Sequence, residues 1–175
     1  MTHTDPFRPR FNSVLAIGII VLLLILAIVK MAKGEEICIP CIIQIESSGN
    51  PNAYNEKSGA IGLMQITKTC LEDFNDWSWR ITDNEGRNPL PIKEPPRYNM
   101  GDMYNPSKNV EVGTWYLNRI KNHYLKGKGT IEDILICYNW GYGNWRKWKA
   151  GKVKLPRETR NYIKRYKQLT KGRAR

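Results

Sequence analysis

The stretch from Val14 to Val29 constrains this chain most: 16 consecutive residues carry no charge and no polar side chain. As a helix it covers about 24 Å at ~1.5 Å per residue, a little less than the ~30 Å hydrocarbon core of a bilayer. Phe11 and Met31–Ala32 lengthen it, and Lys30 and Lys33 can snorkel outward. The expected reading is an uncleaved signal-anchor over 14–32, behind a short tail at 1–13. A cleavable signal peptide is the first alternative, since Arg8 and Arg10 precede the run and Ala32 and Gly34 are small. Against it, the run exceeds the usual ~7–15 residues, and Lys30 sits where a cleavage region is normally uncharged. A buried core helix is the other alternative, but the run has no polar face. Arg8 and Arg10 balance Lys30 and Lys33, so charge does not set the orientation. The expected topology is a single pass with the N-terminus inside and residues 34–175 on the extracytoplasmic side.

The remainder reads as one mainly α domain over 34–170 with a basic tail at 171–175. Glu35 to Ser48 is expected as a first helix, with Pro40 confined to its first turn and Ile39, Ile42, Ile43 and Ile45 forming its apolar surface. Gly59 to Leu71 holds a glycine-rich turn and a short apolar segment. Glu72 to Tyr104 reads as irregular, because Gly86, Pro89, Pro91, Pro95 and Pro96 break any long element. Asn105-Pro106 opens a helix as N-cap and first residue. Val110, Gly113, Leu117, Ile120 and Tyr124 follow at helical spacing. Thr130 and Asp133 form a capping box for the next helix. Pro156 opens the last helix, with Tyr162, Ile163, Tyr166 and Leu169 inward.

The net charge is +12, and 13 of the 30 residues from Arg146 onward are Lys or Arg. That balance favours polyanions: acidic wall polymers, anionic lipid or nucleic acid. A solvated basic helix face or an envelope polyanion fits better than nucleic acid, which is not an expected partner. Cys38 and Cys41 make a C-x-x-C, with Cys70 and Cys137 elsewhere. Zinc is a poor reading, because there is no second C-x-x-C and the chain has 2 His. A thioredoxin-like redox site lacks its βαβ context. Four cysteines allow three pairings, and plain buried thiols are equally open for Cys137. No cofactor or metal is expected.

Glu46 sits at the end of an apolar helix, where the helix field disfavours a carboxylate. That field and Ile42, Ile43 and Ile45 favour the protonated form, which suits a general acid. A solvated surface Glu is the alternative on position alone. The surrounding motifs change the balance. Glu46-Ser47-Ser48-Gly49-Asn50-Pro51 is followed by Gly62-Leu63-Met64-Gln65-Ile66. Asn105-Pro106, Asn109, Gly113, Tyr116 and Leu117 come next. Cys137-Tyr138-Asn139-Trp140-Gly141 and Glu158-Thr159-Arg160-Asn161-Tyr162 complete the series. In order and spacing these resemble the soluble lytic transglycosylase family of the goose-type lysozyme superfamily, over about residues 37 to 168.

The resemblance implies a lysozyme-like helical fold that cleaves the bond between N-acetylmuramic acid and N-acetylglucosamine in peptidoglycan. It uses one Glu rather than a carboxylate pair. Glu46 would protonate the glycosidic oxygen, then act as base on the C6 hydroxyl that attacks C1, leaving an anhydro sugar. The substrate's N-acetyl group would support the positive centre. Met64 and Gln65 are expected as cleft wall, with Gln65 either bonding the glycan or holding a loop. Tyr138 and Asn139 are expected as the cleft Tyr-Asn pair, a purely packing Tyr138 being the alternative, and Tyr162 as a flank of the cleft. Glu158 is expected to be structural. The sequence departs from the family pattern at Asn55, which stands where a Ser is usual and can still reach an N-acetyl group. Cys137 replaces the Ala before Tyr-Asn. The stretch 72–104 is long and brings Trp77, Trp79 and Tyr98 as a sugar-stacking lid or a surface cover.

The expected partners are peptidoglycan strands, the membrane, and components of a phage particle or a secretion machine. The expected site is a bacterial inner membrane or a phage virion membrane. Two rival functions follow from the same residues. One is a lysozyme-type hydrolase using Asp73, Asp76, Asp83 or Asp102 as second carboxylate. The other is a non-catalytic glycan-binding assembly protein.

Overall fold

The first helix begins where the backbone can be capped. In the computed structural model, which describes residues 21–22, 36–77 and 97–173, α1 runs Ile39–Glu46. This is shorter than the expected 35–48, because Cys38 takes the cap position: its sulfur accepts the Cys41 N–H at 3.3 Å. Pro40 sits in the first turn, where it has no N–H to lose. Cys41, Ile42 and Ile45 face the core. The helix stops at Ser47, whose hydroxyl donates to Ile43 O at 3.2 Å and to Leu63 O at 2.8 Å. Ser48 and Gly49, both at positive φ, then reverse the chain.

A small antiparallel hairpin follows, β1 (Tyr54–Asn55) with β2 (Ala60–Ile61), in register Tyr54 to Ile61 and Asn55 to Ala60. Ile61 also bridges Ile66. No strand signal marks this hairpin in the sequence, because two-residue strands are too short to show alternation. Its turn is held locally instead: Asn55 Oδ1 accepts from Lys57 N at 3.0 Å and Ser58 N at 3.3 Å. Then comes α2 (Lys68–Trp77), which from Glu72 onward runs into the stretch expected to be irregular. Its buried residues Cys70, Leu71 and Phe74 recur at helical spacing. The proline-rich part, 78–96, lies outside the described residues.

A 3-10 turn, Met100–Tyr104, leads into α3 (Pro106–Arg119). Asn105 caps α3 as expected, accepting from Ser107 N and Lys108 N. α3 widens into a π turn at Ile120–Tyr124. Next come α4 (Ile131–Trp140), α5 (Tyr142–Lys149) and α6 (Arg157–Arg173). The Thr130–Asp133 capping box starts α4 as expected. The sequence reading passed over α5, which buries none of its residues and so carries no apolar stripe. Helix α4 is the centre of the domain and packs against α3, α5 and α6, while α1 lies on α6. Its Ile134, Leu135, Ile136 and Cys137 are all buried. Ile42, Met64, Ile66, Met103, Leu117 and Ile120 complete the core.

The single-pass topology with an extracytoplasmic domain is corrected here. No helix among the described residues is long and apolar enough to cross a membrane. Of the 14–32 run only Val21 and Leu22 are described, both exposed; the rest of the expected anchor lies outside the described residues. A span needs ~20 apolar helical residues.

Candidate active site

Glu46 is the last residue of α1, so its carboxylate leaves the helix as the chain turns away. Tyr162, buried on α6, donates its hydroxyl to Glu46 Oε1 at 2.8 Å. Burial pushes the carboxyl from 4.5 up to about 7. The Tyr162 hydrogen bond and the Arg165 charge pull the other way, and the Glu158 carboxylate adds to the rise. Desolvation therefore wins over a good donor and a cation. Near neutral pH the group is shared between acid and carboxylate, the condition a residue needs to give a proton and then take one.

Two tyrosines bound this carboxyl. Burial and the nearby Glu46 charge hold Tyr138 and Tyr162 well above the usual tyrosine value, so both hydroxyls stay donors. Tyr138 donates to Met64 O at 2.8 Å, joining α4 to the segment after the hairpin. Tyr116 of α3 packs against it, with ring centroids 5.8 Å apart.

That segment is held by Asn109, a fully buried side chain of α3. Its Oδ1 accepts from Met64 N at 2.8 Å, and its Nδ2 donates to Ile61 O at 2.9 Å and Met103 O at 2.8 Å. Every one of these partners is main chain, so Asn109 replaces the missing third strand of the hairpin. Gly62 lies against it at φ 78°; a Cβ there would stand 2.3 Å from Asn109 Nδ2 and from Met103 O. Gly113 is small for a related reason, as its Cβ would meet Met64 Sδ at 2.5 Å. Gln65 is held at φ 50°, unusual for a residue with a side chain.

A model of the transglycosylase SLT domain matches residues 24–161. The chain belongs to the SLT transglycosylase family. The membrane-bound lytic murein transglycosylase C of Pectobacterium atrosepticum is 32% identical over 121 residues, 63% of this chain and 28% of that protein. The membrane-bound lytic murein transglycosylase E of Buchnera aphidicola is 29% identical over 109 residues, 61% of this chain and 43% of that protein. The crystal structure of the 70 kDa soluble lytic transglycosylase of Escherichia coli superposes with a TM-score of 0.53 at 26% identity, over 75% of this chain and 21% of that one. This chain thus spans less than half the length of the curated relatives it matches.

Within this SLT domain the structure brings Glu46, Tyr138 and Tyr162 together and redistributes the other expected residues. Met64 is not cleft wall by its side chain, which is fully buried against Gly113; it offers main chain to Tyr138 and Asn109. Gln65 Nε2 donates to Gly62 O at 3.2 Å and Ala53 O at 3.4 Å, so its amide holds the loop. Asn55 is exposed, with its side-chain oxygen committed to the hairpin turn. Asn139 Oδ1 accepts the hydroxyl of buried Thr159 at 2.8 Å, tying α4 to α6. Tyr98 stacks on Phe74 with centroids 5.7 Å apart and donates to Glu111, which makes it a cover over α2 and α3 rather than a free lid. Trp79 lies outside the described residues.

Two of the four acids expected as second carboxylates are engaged elsewhere. Asp73 pairs with Arg119 at 3.7 Å, and Asp102 holds Lys108 and caps the 3-10 turn. Asp76 is exposed, and Asp83 lies outside the described residues. The residues that sequence reasoning left without a role are Asn109, Thr159 and Ser47. Asn109 had a signal: an amide on the buried face of a helix otherwise lined by Val112, Trp115 and Leu117.

Proposed function

We propose that this protein is a peptidoglycan lytic transglycosylase in which Glu46 works alone as acid and then base. The observation that carries this is a single half-buried carboxyl, poised near neutrality and held by Tyr162. In this reading protonated Glu46 gives its proton to the oxygen between muramic acid and glucosamine units. The resulting carboxylate then takes the proton of the C6 hydroxyl as that oxygen closes on C1. The bond to the leaving sugar breaks, and an anhydro-muramic end forms without water. Tyr162 steadies the carboxylate between the two proton transfers.

Tyr138 and Asn139 belong to the cleft in this reading, with Tyr138 facing Glu46 and Asn139 steadied by Thr159. Gln65 and Asn55 would present their remaining amide groups to the sugar's N-acetyl groups, and Met64 would shape the wall from behind through its main chain. The catalytic domain is taken as 34–170 and the tail as 171–175. Local opening of the wall, during phage entry or exit or the assembly of a secretion machine, is the cellular role this activity would serve.

The deciding experiment digests purified peptidoglycan with the protein and identifies the sugar ends by mass spectrometry. Anhydro-muramic ends, absent with Glu46→Gln, are the expected result. Reducing ends would overturn the reading in favour of a hydrolase. Binding without cleavage would overturn it in favour of a scaffold.

A further inference from the structure

Cys38 and Cys41 are joined as a disulfide across the first turn of α1, with Cα atoms 5.3 Å apart. The two sulfurs have unlike surroundings. Cys41 is buried at 2% exposure, whereas Cys38 is partly open to solvent. Cys38 Sγ already accepts two donors: the Cys41 N–H at 3.3 Å and Arg173 Nη1 at 3.1 Å. Arg173 also reaches Cys41 Sγ, but at 3.9 Å. From the same helix, Tyr166 accepts the Cys38 N–H at 2.8 Å. The groups that donate to this sulfur are therefore a cation and a helix-start N–H, while the Tyr166 phenol holds the Cys38 main chain. A loop this short is the kind that stabilises a fold least through chain entropy, so a staple explains little.

We propose that Cys38–Cys41 is a thiol–disulfide exchange pair, in which Cys38 is the sulfur that meets an incoming dithiol. One thiolate of the dithiol attacks Cys38 Sγ, the Cys38–Cys41 bond breaks, and its electron pair leaves on Cys41, which takes a proton. The second thiol of the dithiol then attacks its own mixed-disulfide sulfur and releases Cys38 as a thiolate. The dithiol ends as a disulfide and the protein as a dithiol, two electrons having moved. Arg173 and the Cys41 N–H stabilise the released Cys38 anion, so Cys38 is both the accessible and the better leaving sulfur. Cys70 and Cys137 are buried free thiols whose burial pushes each up to about 12, so neither competes.

The test uses the full chain and reads each cysteine by peptide mass spectrometry, without reference to glycan cleavage. Dithiothreitol in native buffer should open the disulfide, and iodoacetamide at pH 7 should then label Cys38 at least about tenfold faster than Cys41. Arg173→Gln should slow that labelling about threefold or more. Cys41→Ser should trap oxidised glutathione on Cys38, and Cys38→Ser should trap far less on Cys41. A bond that opens only in denaturant, equal labelling of the two sulfurs, or equal trapping in the two variants would each overturn the proposal.

Discussion

Replacing Glu46 with Gln should remove cleavage and at the same time make the protein more stable above neutral pH. The variant keeps an oxygen to accept the Tyr162 hydroxyl, so the local geometry survives. What it loses is the cost of a buried charge. The carboxyl rises from 4.5 to about 7 through burial, which at ~1.36 kcal/mol per tenfold step in proton affinity amounts to about 3 kcal/mol. Below pH 4.5 the carboxyl is protonated in both the folded and the unfolded chain, so wild type and variant should differ only by a constant offset. Between 4.5 and 7 the unfolded chain ionises while the folded one resists, so wild-type stability falls as pH rises. Above 7 the gap should level off at no more than about 3 kcal/mol in favour of the variant. For a domain of this size that is a melting difference of roughly 10 °C. Paired thermal melts at pH 4, 6 and 8.5 measure it. A gap that stays constant across that range would refute the burial argument, whatever the variant does to cleavage.

Cleavage by the wild type should decline as pH rises through about 7, where Glu46 gives up its proton; Tyr162→Phe removes a group that lowers this value and should move the limb upward by about one pH unit, seen in a pH–rate profile. Gly62→Ala should cost about 3 kcal/mol or more, because the added methyl meets Asn109 and Met103 main chain at a backbone angle only glycine adopts freely; urea denaturation gives the value. Burial raises Asp133, but hydrogen bonds from Trp145, Lys149 and Thr130 outweigh it and hold the carboxyl near 2. Asp133→Asn should therefore lose about 1 kcal/mol at pH 7, discounted for solvent screening. That loss should disappear as pH falls from about 4 through 2, in acid-titration melts.

Local chemistry made much of this molecule legible in its sequence. Helix starts at Asn105-Pro106 and Thr130-x-x-Asp133 are written in capping residues whose partners lie within three positions, so no tertiary contact is needed to read them. The helical spacing of the α6 face is similarly local. Glu46 stood out because an acid at the end of an apolar helix is costly unless used, and because five motifs in register surround it. The side-chain settings of Met64 and Gln65 are not local in this way. Which way a side chain turns at a strained loop depends on what waits on the other side, and there Gly113 opens a space that Met64 fills.

The mainly helical class and the capped helix starts can be read from the chain alone, because they depend on short-range periodicity and on residue type; the family is legible through the order and spacing of its motifs. Only the tertiary structure decided the rest. It brings Tyr162 to Glu46 from 116 residues away and Tyr138 to Met64 from 74 away. It assigns Asn109 to the hairpin main chain, joins Cys38 to Cys41 and leaves Cys70 and Cys137 as buried thiols. Such contacts join segments far apart in the chain, and the value of a carboxyl depends on how completely those segments shut out water around it.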